Sequence, residues 1–297
     1  MSDLKTIDTP LLRIGYEEWN PGGTATVVLM HGWPDSTRSW HGVAPSLAEA
    51  GWRVLAPALR GFAPTRFLHD GTPRSGQLSA LGRDLLDFID ALGLDKPALV
   101  GHDWGARAAA NACGLRPEVA RALVLMSVGY GTNAPDQPMA LEQARNYWYH
   151  WYMATPRGER TVHDDRIAFT RMMWDTWAPT GWYESAEFEA TAAAFAGDDW
   201  ARVVLHSYRH RWGYASGDPR YAADDAALDP APVLPVPTLV LHGAADSCND
   251  PDTSAGKERF FSGPYRRELL DGVGHFPQRE APAAVAAALL RFLPAIA

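Results

Sequence analysis

The segment Gly101-His102-Asp103-Trp104-Gly105 places a carboxylate where a G-x-nucleophile-x-G elbow normally carries a serine. A serine at that point attacks esters, but a carboxylate doing the same would form an energetic anhydride. Asp103 instead suits displacement at a saturated carbon bearing a leaving group, which leaves an alkyl ester on its own side chain. Hydrolysis of that ester needs a histidine, held by a second carboxylate, to draw a proton from the attacking water. His275, in Gly272-Val273-Gly274-His275-Phe276-Pro277, and Asp246, in Gly243-Ala244-Ala245-Asp246, follow Asp103 in the order nucleophile, acid, histidine. Asp250 is a rival for the acid, but Asp246 lies closer to the end of the strand expected before it. The intermediate needs N–H donors for its oxyanion, and the amides of Trp33, in His31-Gly32-Trp33-Pro34, and of Trp104 are placed to supply them.

These residues need strands to deliver them to one place. Apolar runs at 27–30, 53–56, 98–100, 122–126, 238–242 and 266–270 read as strands, with an opening strand or hairpin at 11–16. The stretches 43–50, 77–92 and 106–115 read as helices. Such alternation predicts an α/β architecture with a mostly parallel sheet and helices on both faces. The candidate residues then gather at the carboxyl ends of the strands, the edge where open α/β sheets hold their sites. Over 131–229 the pattern changes, for no buried strand run is found and seven of the twelve tryptophans fall there. We expect an inserted helical cap over 131–229 between core segments 1–130 and 230–297, the chain returning through the proline-rich stretch 230–237.

With 297 residues, 46% hydrophobic and 21% charged, the chain can bury one large core with an insertion, or two small domains. A net charge of -8 argues against nucleic acid or an anionic membrane as partner and favours small neutral substrates. Cys113 and Cys248 lack metal-ligand spacing and are expected to be reduced. His206 and His210 stand at i, i+4 without a third ligand, and Arg209 and Arg211 crowd them, so no metal is assigned. Without an apolar leader segment or an apolar run of membrane-spanning length, the expected setting is cytoplasmic, as a monomer or homodimer.

These residues together resemble the α/β-hydrolase superfamily, and within it the aspartate-nucleophile branch of epoxide hydrolases and haloalkane or haloacetate dehalogenases. The resemblance spans His31 to Ser36, Leu59-Arg60-Gly61-Phe62, the elbow, the cap and the final histidine loop. It departs at Ala58-Leu59-Arg60-Gly61-Phe62-Ala63, where relatives usually read D-x-R-G-Y-G. It implies the fold, a lid over Asp103, no metal and no cofactor.

The leaving group divides the branches. An epoxide oxygen departs as an alkoxide and needs an acid, whereas a halide needs only N–H or ring-edge donors. Tyr208 resembles the tyrosine of the cap Tyr-Arg pair of epoxide hydrolases and Tyr149 its partner, with Tyr147 and Tyr152 as rivals and plain cap packing as the bland alternative. His150 and Trp151 with Tyr208 resemble the halide pocket of fluoroacetate dehalogenases. Arg107 matches the second of the two arginines that hold the substrate carboxylate there, Trp104 replacing the first, although a structural or surface arginine is the simpler reading. That branch carries its triad acid after the strand following the elbow helix, where this chain has Met126-Ser127. The expectation is therefore an epoxide hydrolase making vicinal diols through an Asp103 ester. Hydrolytic dehalogenation of a small haloalkane or haloacid is the alternative, and a ligand-binding scaffold on the same fold is a third reading.

Overall fold

The apolar runs assemble into one sheet in the computed structural model, which describes residues 2–132 and 137–293. Its strands are β1 (Asp3–Asp8), β2 (Leu12–Trp19), β3 (Ala25–Met30), β4 (Trp52–Pro57), β5 (Arg66–Phe67), β6 (Ala98–His102), β7 (Ala122–Met126), β8 (Thr238–Gly243) and β9 (Tyr265–Leu270). Their order is β1-β2-β4-β3-β6-β7-β8-β9, with β5 on β2. Pairing is parallel from β4 through to β9 and antiparallel only around β2. This is the mostly parallel α/β sheet that the alternating pattern requires.

Successive strand residues point to opposite faces, so each central strand feeds two cores. Val27, Leu29, Val54, Val100 and Leu239 pack towards α1 (Ala44–Glu49) and the final helix, whereas Val28, Met30, Leu55, Leu99 and Leu123 pack towards α2 (Leu78–Ala91) and α3 (Trp104–Leu115). Burial on both faces explains why these strands read as continuous apolar runs. β1 escaped the sequence pattern because it is an exposed edge strand whose residues, DLKTID, form no apolar run. β5 is only two residues long.

Between β7 and β8 the described residues form the helices α4 (Leu141–Asn146), α5 (Trp148–Met153), α6 (Pro156–Asp164), α7 (Arg166–Thr176), α8 (Ser185–Ala192), α9 (Asp198–Arg211) and α10 (Ala222–Leu228). Two more, α11 (Pro277–Glu280) and α12 (Pro282–Phe292), follow β9. Of the expected segments, Met1, 133–136 and 294–297 lie outside the described residues. The helices between β7 and β8 share the core of α2 and α3, through residues such as Met153, Trp174, Phe188 and Trp200. A buried clamp joins them to the sheet loops: Arg60 makes a bidentate pair with Asp84 at 2.6 Å for both bonds and donates to the Tyr221 hydroxyl at 2.8 Å.

The turn from β6 into α3 is the tightest point of the fold. Asp103 is held at φ 50° and ψ -113°, outside the regions an L-residue prefers. A Cβ on Gly101 would come within 2.3 Å of the Gly105 carbonyl oxygen, and one on Gly105 within 2.3 Å of the Met30 carbonyl oxygen. Both obstacles are backbone, which cannot swing aside. We therefore expect Gly105→Ala to destabilise the fold by about 1–3 kcal/mol, the usual range for overpacking. Gly71→Ala, where nothing lies within 4 Å, should stay within about 0.5 kcal/mol of the parent. Urea denaturation midpoints of the two variants check this, and equal midpoints would contradict the close approach.

Candidate active site

Four strands bring their carboxyl ends to the elbow. After β3, the chain turns through Gly32, where a Cβ would lie 2.6 Å from that of Asp103, so the backbone passes directly over the Asp103 side chain. The Trp33 amide consequently donates to Asp103 Oδ1 at 2.9 Å. The Trp104 amide opens α3, where no carbonyl one turn back can accept from it. Both amides named by the sequence therefore lie at the nucleophile, one already bonded to it.

After β9 comes His275, fully buried, with Nδ1 2.9 Å from Asp246 Oδ2 and Nε2 4.0 Å from Asp103 Oδ2. A carboxylate only accepts, so Nδ1 carries the hydrogen and Nε2 is the basic nitrogen of the neutral ring. Nε2 makes no hydrogen bond among the described residues. After β8, Asp246 accepts at Oδ1 from the amides of Cys248 (2.8 Å) and Asn249 (2.9 Å), and at Oδ2 from His242 Nε2 (3.1 Å) as well as from His275. Burial alone would raise the Asp246 pKa, but the charge of His275 and the bonds from His242 and His275 outweigh it and hold the carboxyl well below its usual range. For His275 burial works downward, and the Asp246 carboxylate more than reverses it, so its pKa lies above 6.5.

Further residues fix the histidine, and the sequence did not flag them. Glu280 accepts from the amides of Gly274 (2.6 Å) and Phe276 (2.8 Å), clamping the loop on both sides of His275. The His275 amide donates to the Trp177 carbonyl at 3.0 Å, and its own carbonyl accepts from His102 Nε2 at 2.6 Å. His242, one residue before the end of β8, lies four residues before Asp246, a spacing that could have suggested contact. Glu280 and Trp177 carry no such signal, because their contacts run through backbone atoms.

The cap side of the site is aromatic. Tyr149, on α5, stacks on Trp33 with centroids 5.4 Å apart and planes at 13°, and Tyr208, on α9, meets both rings edge-on at 5.4 and 5.2 Å. The Trp104 indole N–H donates to the Tyr208 hydroxyl oxygen at 3.2 Å, which leaves the phenolic hydrogen for another acceptor. Burial, reinforced by the Asp103 charge, pushes the Tyr208 pKa well above 10, with Arg211 acting in the opposite sense. Burial does the same to Tyr149, whose hydroxyl lies 3.5 Å from Cys248 Sγ. Both phenols therefore keep their protons at neutral pH.

Several sequence candidates are not brought here. Tyr147 bonds Asn249 Oδ1 at 2.6 Å and Tyr152 meets Thr161 at 2.8 Å, both away from Asp103. Asp250 caps the turn Pro251–Ser254, accepting from the Asp252 amide at 2.9 Å, and takes no part in the histidine pair. Trp151 needs correction as a substrate donor, since its indole N–H is spent on the Ala144 carbonyl at 3.2 Å and its ring packs on Trp212. His150, by contrast, is brought in, buried 4.5 Å from the Tyr208 ring and 4.3 Å from that of Tyr149, and Arg107 lies one turn beyond Asp103 on α3. His206 is spent on the Gly76 amide and the Ser216 carbonyl, and no group of three metal-capable side chains is found among the described residues. Both cysteines are free thiols.

The Asp246–His275 contact makes a checkable statement about titration. Replacing the carboxylate with an amide removes the attraction for the imidazolium but leaves the burial. The His275 midpoint, followed by its ring proton resonance and assigned against His275→Gln, should lie above 6.5 in the parent and fall in Asp246→Asn. An unchanged midpoint would dissociate the two residues.

A family profile described as alpha/beta hydrolase fold matches residues 25–282. Epoxide hydrolase A of Mycobacterium tuberculosis is 29% identical over 97% of this chain and 96% of its own, and an epoxide hydrolase of Caballeronia sordidicola is 27% identical over 92% and 88%. The solved structure of a candidate epoxide hydrolase from Klebsiella pneumoniae superposes with a TM-score of 0.91 at 35% identity, covering 97% of this chain and 96% of that one. Among the described residues no helix is long and apolar enough to cross a membrane.

Proposed function

The chain belongs to the α/β-hydrolase fold family, and from that premise we propose that it is an epoxide hydrolase, converting a small-molecule epoxide to a vicinal diol through an alkyl ester on Asp103. The observation that carries the reading is the pair of neutral, buried phenols of Tyr149 and Tyr208 packed on Trp33, whose amide holds Asp103, with Tyr208 already accepting from Trp104 and so free to donate.

Asp103 Oδ2 attacks one epoxide carbon while Oδ1 stays on the Trp33 amide. The carbon–oxygen bond breaks, its electron pair moves to the epoxide oxygen, and Tyr208, aided by Tyr149, supplies the proton. The Trp104 N–H steadies the phenolate as it forms. In the second half, His275 Nε2 takes a proton from water, whose oxygen attacks the ester carbon of Asp103. The Trp33 and Trp104 amides hold the resulting oxyanion. Collapse breaks the ester C–O bond, and the proton of the tetrahedral hydroxyl passes to the leaving alkoxide to give the diol. The carboxylate is restored, and the proton taken up by His275 is returned by way of water to the Tyr208 phenolate. Asp246 keeps His275 in the working tautomer and favours the imidazolium in transit. The helical segment 131–229 acts as the cap, since it carries both phenols. No step requires a metal or an organic cofactor. The dehalogenase alternative gains less support, because the indole N–H groups of Trp104 and Trp151 that would face a halide are bonded to Tyr208 and Ala144.

Two experiments test the scheme. Asp103→Asn should abolish turnover, while His275→Gln should accumulate an alkyl adduct on the peptide carrying Asp103, detected by mass spectrometry. In a single turnover in oxygen-18 water, the label should enter Asp103. Label found first in the diol would mean direct attack by water and would remove the ester.

Tyr208→Phe should slow alkylation by about 10²–10⁴-fold, the range for losing a positioned general acid, with a much smaller change in binding. Stopped-flow tryptophan fluorescence with an epoxide, run beside bromide release from bromoacetate, separates the readings. Intact epoxide alkylation in both Tyr208→Phe and Tyr149→Phe, with brisk bromide release from the parent, would favour the dehalogenase.

A further inference from the structure

The surroundings of His275 work against its use as a base. The ring must be neutral to take a proton from water, yet three carboxylates act on it. Asp246 Oδ2 lies 2.9 Å from Nδ1, Asp103 Oδ2 lies 4.0 Å from Nε2, and Glu280 is bonded to the amides on both sides of the residue. Burial disfavours the charged ring, but these carboxylates, Asp246 foremost, reverse that and lift its pKa above 6.5. His102, with its ring centre 5.0 Å away, is held down to about 4 by burial and brings no positive charge to offset them. Esterification of Asp103 removes one of the three charges and leaves the other two.

A second histidine meets the far side of the strongest of these carboxylates. His242 Nε2 lies 3.1 Å from Asp246 Oδ2, the same oxygen that His275 uses, and 2.9 Å from the Asn249 carbonyl oxygen. Both partners only accept, so Nε2 carries the ring hydrogen and donates to them. Nδ1 faces Ser254 Oγ at 2.9 Å. That oxygen accepts from Arg267 Nε at 2.9 Å, and the Pro251 carbonyl, the other acceptor for the hydroxyl at 3.0 Å, already takes Arg267 Nη2 at 2.6 Å. The serine hydrogen is therefore available to Nδ1, which locks the Nε2–H tautomer. Arg267 and Asp246 are thus the charged groups on the two sides of His242. A chain Arg267–Ser254–His242–Asp246–His275 runs from β9 to the reacting atoms, and its last three members are buried.

We propose that His242 is a positioning residue for hydrolysis of the Asp103 ester: its donation to Asp246 Oδ2 weakens the hold of that oxygen on the His275 proton and keeps His275 available as a base near neutral pH. The inference rests on the ester scheme for the site and adds a residue to it. An oxygen shared between two donors is a poorer acceptor for each, and a hydrogen bond to a carboxylate lowers its basicity. Against burial, and beside the charge of His275, the His242 bond helps hold the Asp246 carboxyl below its usual range. His242 acts through Asp246 and takes no proton from water itself. Its removal should leave Asp246 pulling harder on His275 and raise the pH at which that ring loses its proton.

The test compares the parent with His242→Leu, which removes the donor, and His242→Gln, whose amide nitrogen stands as many bonds from Cβ as Nε2 does. The His275 ring resonance is titrated in the resting enzyme, and decay of the Asp103 adduct after a single turnover of styrene oxide is followed across pH by rapid quench and mass spectrometry. In His242→Leu both midpoints should rise by about half to one pH unit, so that decay below the midpoint slows by about three- to ten-fold, and His242→Gln should restore the parent midpoints. A site that is merely loosened would decay more slowly at every pH with its midpoint unmoved. Unmoved midpoints in His242→Leu, or an equal rise in both variants, overturn the role. Should His242→Leu fail to fold, the parent decides: in spectra of the protein with 15N-labelled histidine, the His242 Nε2–H proton should shift through the His275 midpoint, and a proton that stays in place overturns the sharing. Absence of any adduct on Asp103 removes the ester scheme, whereas the resting-enzyme titration still decides whether His242 governs His275.

Discussion

A single peptide turn, in which Asp103 is held at positive φ between Gly101 and Gly105, is the constraint on which the rest of the site depends. The turn lets α3 start at Trp104 with its backbone pressed against the end of β3, a distance that only glycine at 105 permits. Because β6 lies between β3 and β7, the turn places Asp103 at the middle of the sheet's carboxyl edge. The Trp33 amide then reaches it from one neighbouring strand end, and His275 from another part of the same edge. Backbone strain of this kind costs about 1–3 kcal/mol. It persists because the strands on either side are buried on both faces and leave the chain no other path.

The electrostatics around that turn divide into a satisfied half and an unsatisfied half. Asp246 is buried, yet two amides and two imidazoles use its lone pairs, so it remains a carboxylate and raises the basicity of His275. On the other side burial keeps the phenols of Tyr149 and Tyr208 and the ring of His150 neutral. The proposed mechanism draws on both halves: a charged pair to accept a proton from water, and neutral groups to give one up or donate a hydrogen bond. Buried guanidinium nitrogens of Arg107 and Arg211, without a hydrogen-bond partner among the described residues, lie one turn past Asp103 and Tyr208.

The cap tyrosines show how packing assigns roles among equivalent side chains. Tyr147, Tyr149 and Tyr152 lie within six residues of one another, and all three were plausible partners for Tyr208. The helical turn of α5 directs Tyr149 onto Trp33, while the hydroxyls of Tyr147 and Tyr152 find Asn249 and Thr161. Trp151 was open to the same ambiguity, and its N–H went to a backbone carbonyl on the preceding helix.

By itself the sequence determined the mostly parallel sheet, the helical stretch between the two core segments, and the identity of Asp103, Asp246 and His275 as the residues to watch. Strand periodicity and strand-end motifs are local, and the carboxyl edge of a parallel sheet collects whatever follows each strand. Tertiary structure alone decided which tyrosine faces the nucleophile, and that His242, Glu280 and Trp177 hold the histidine loop. It also decided that Nε and Nη2 of Arg211 are buried without a hydrogen-bond partner among the described residues. Those contacts join α5, α9 and the loops after β8 and β9, segments far apart in the chain, and many of them pass through backbone atoms. No residue type or spacing encodes such a contact until burial has fixed which groups remain without a partner.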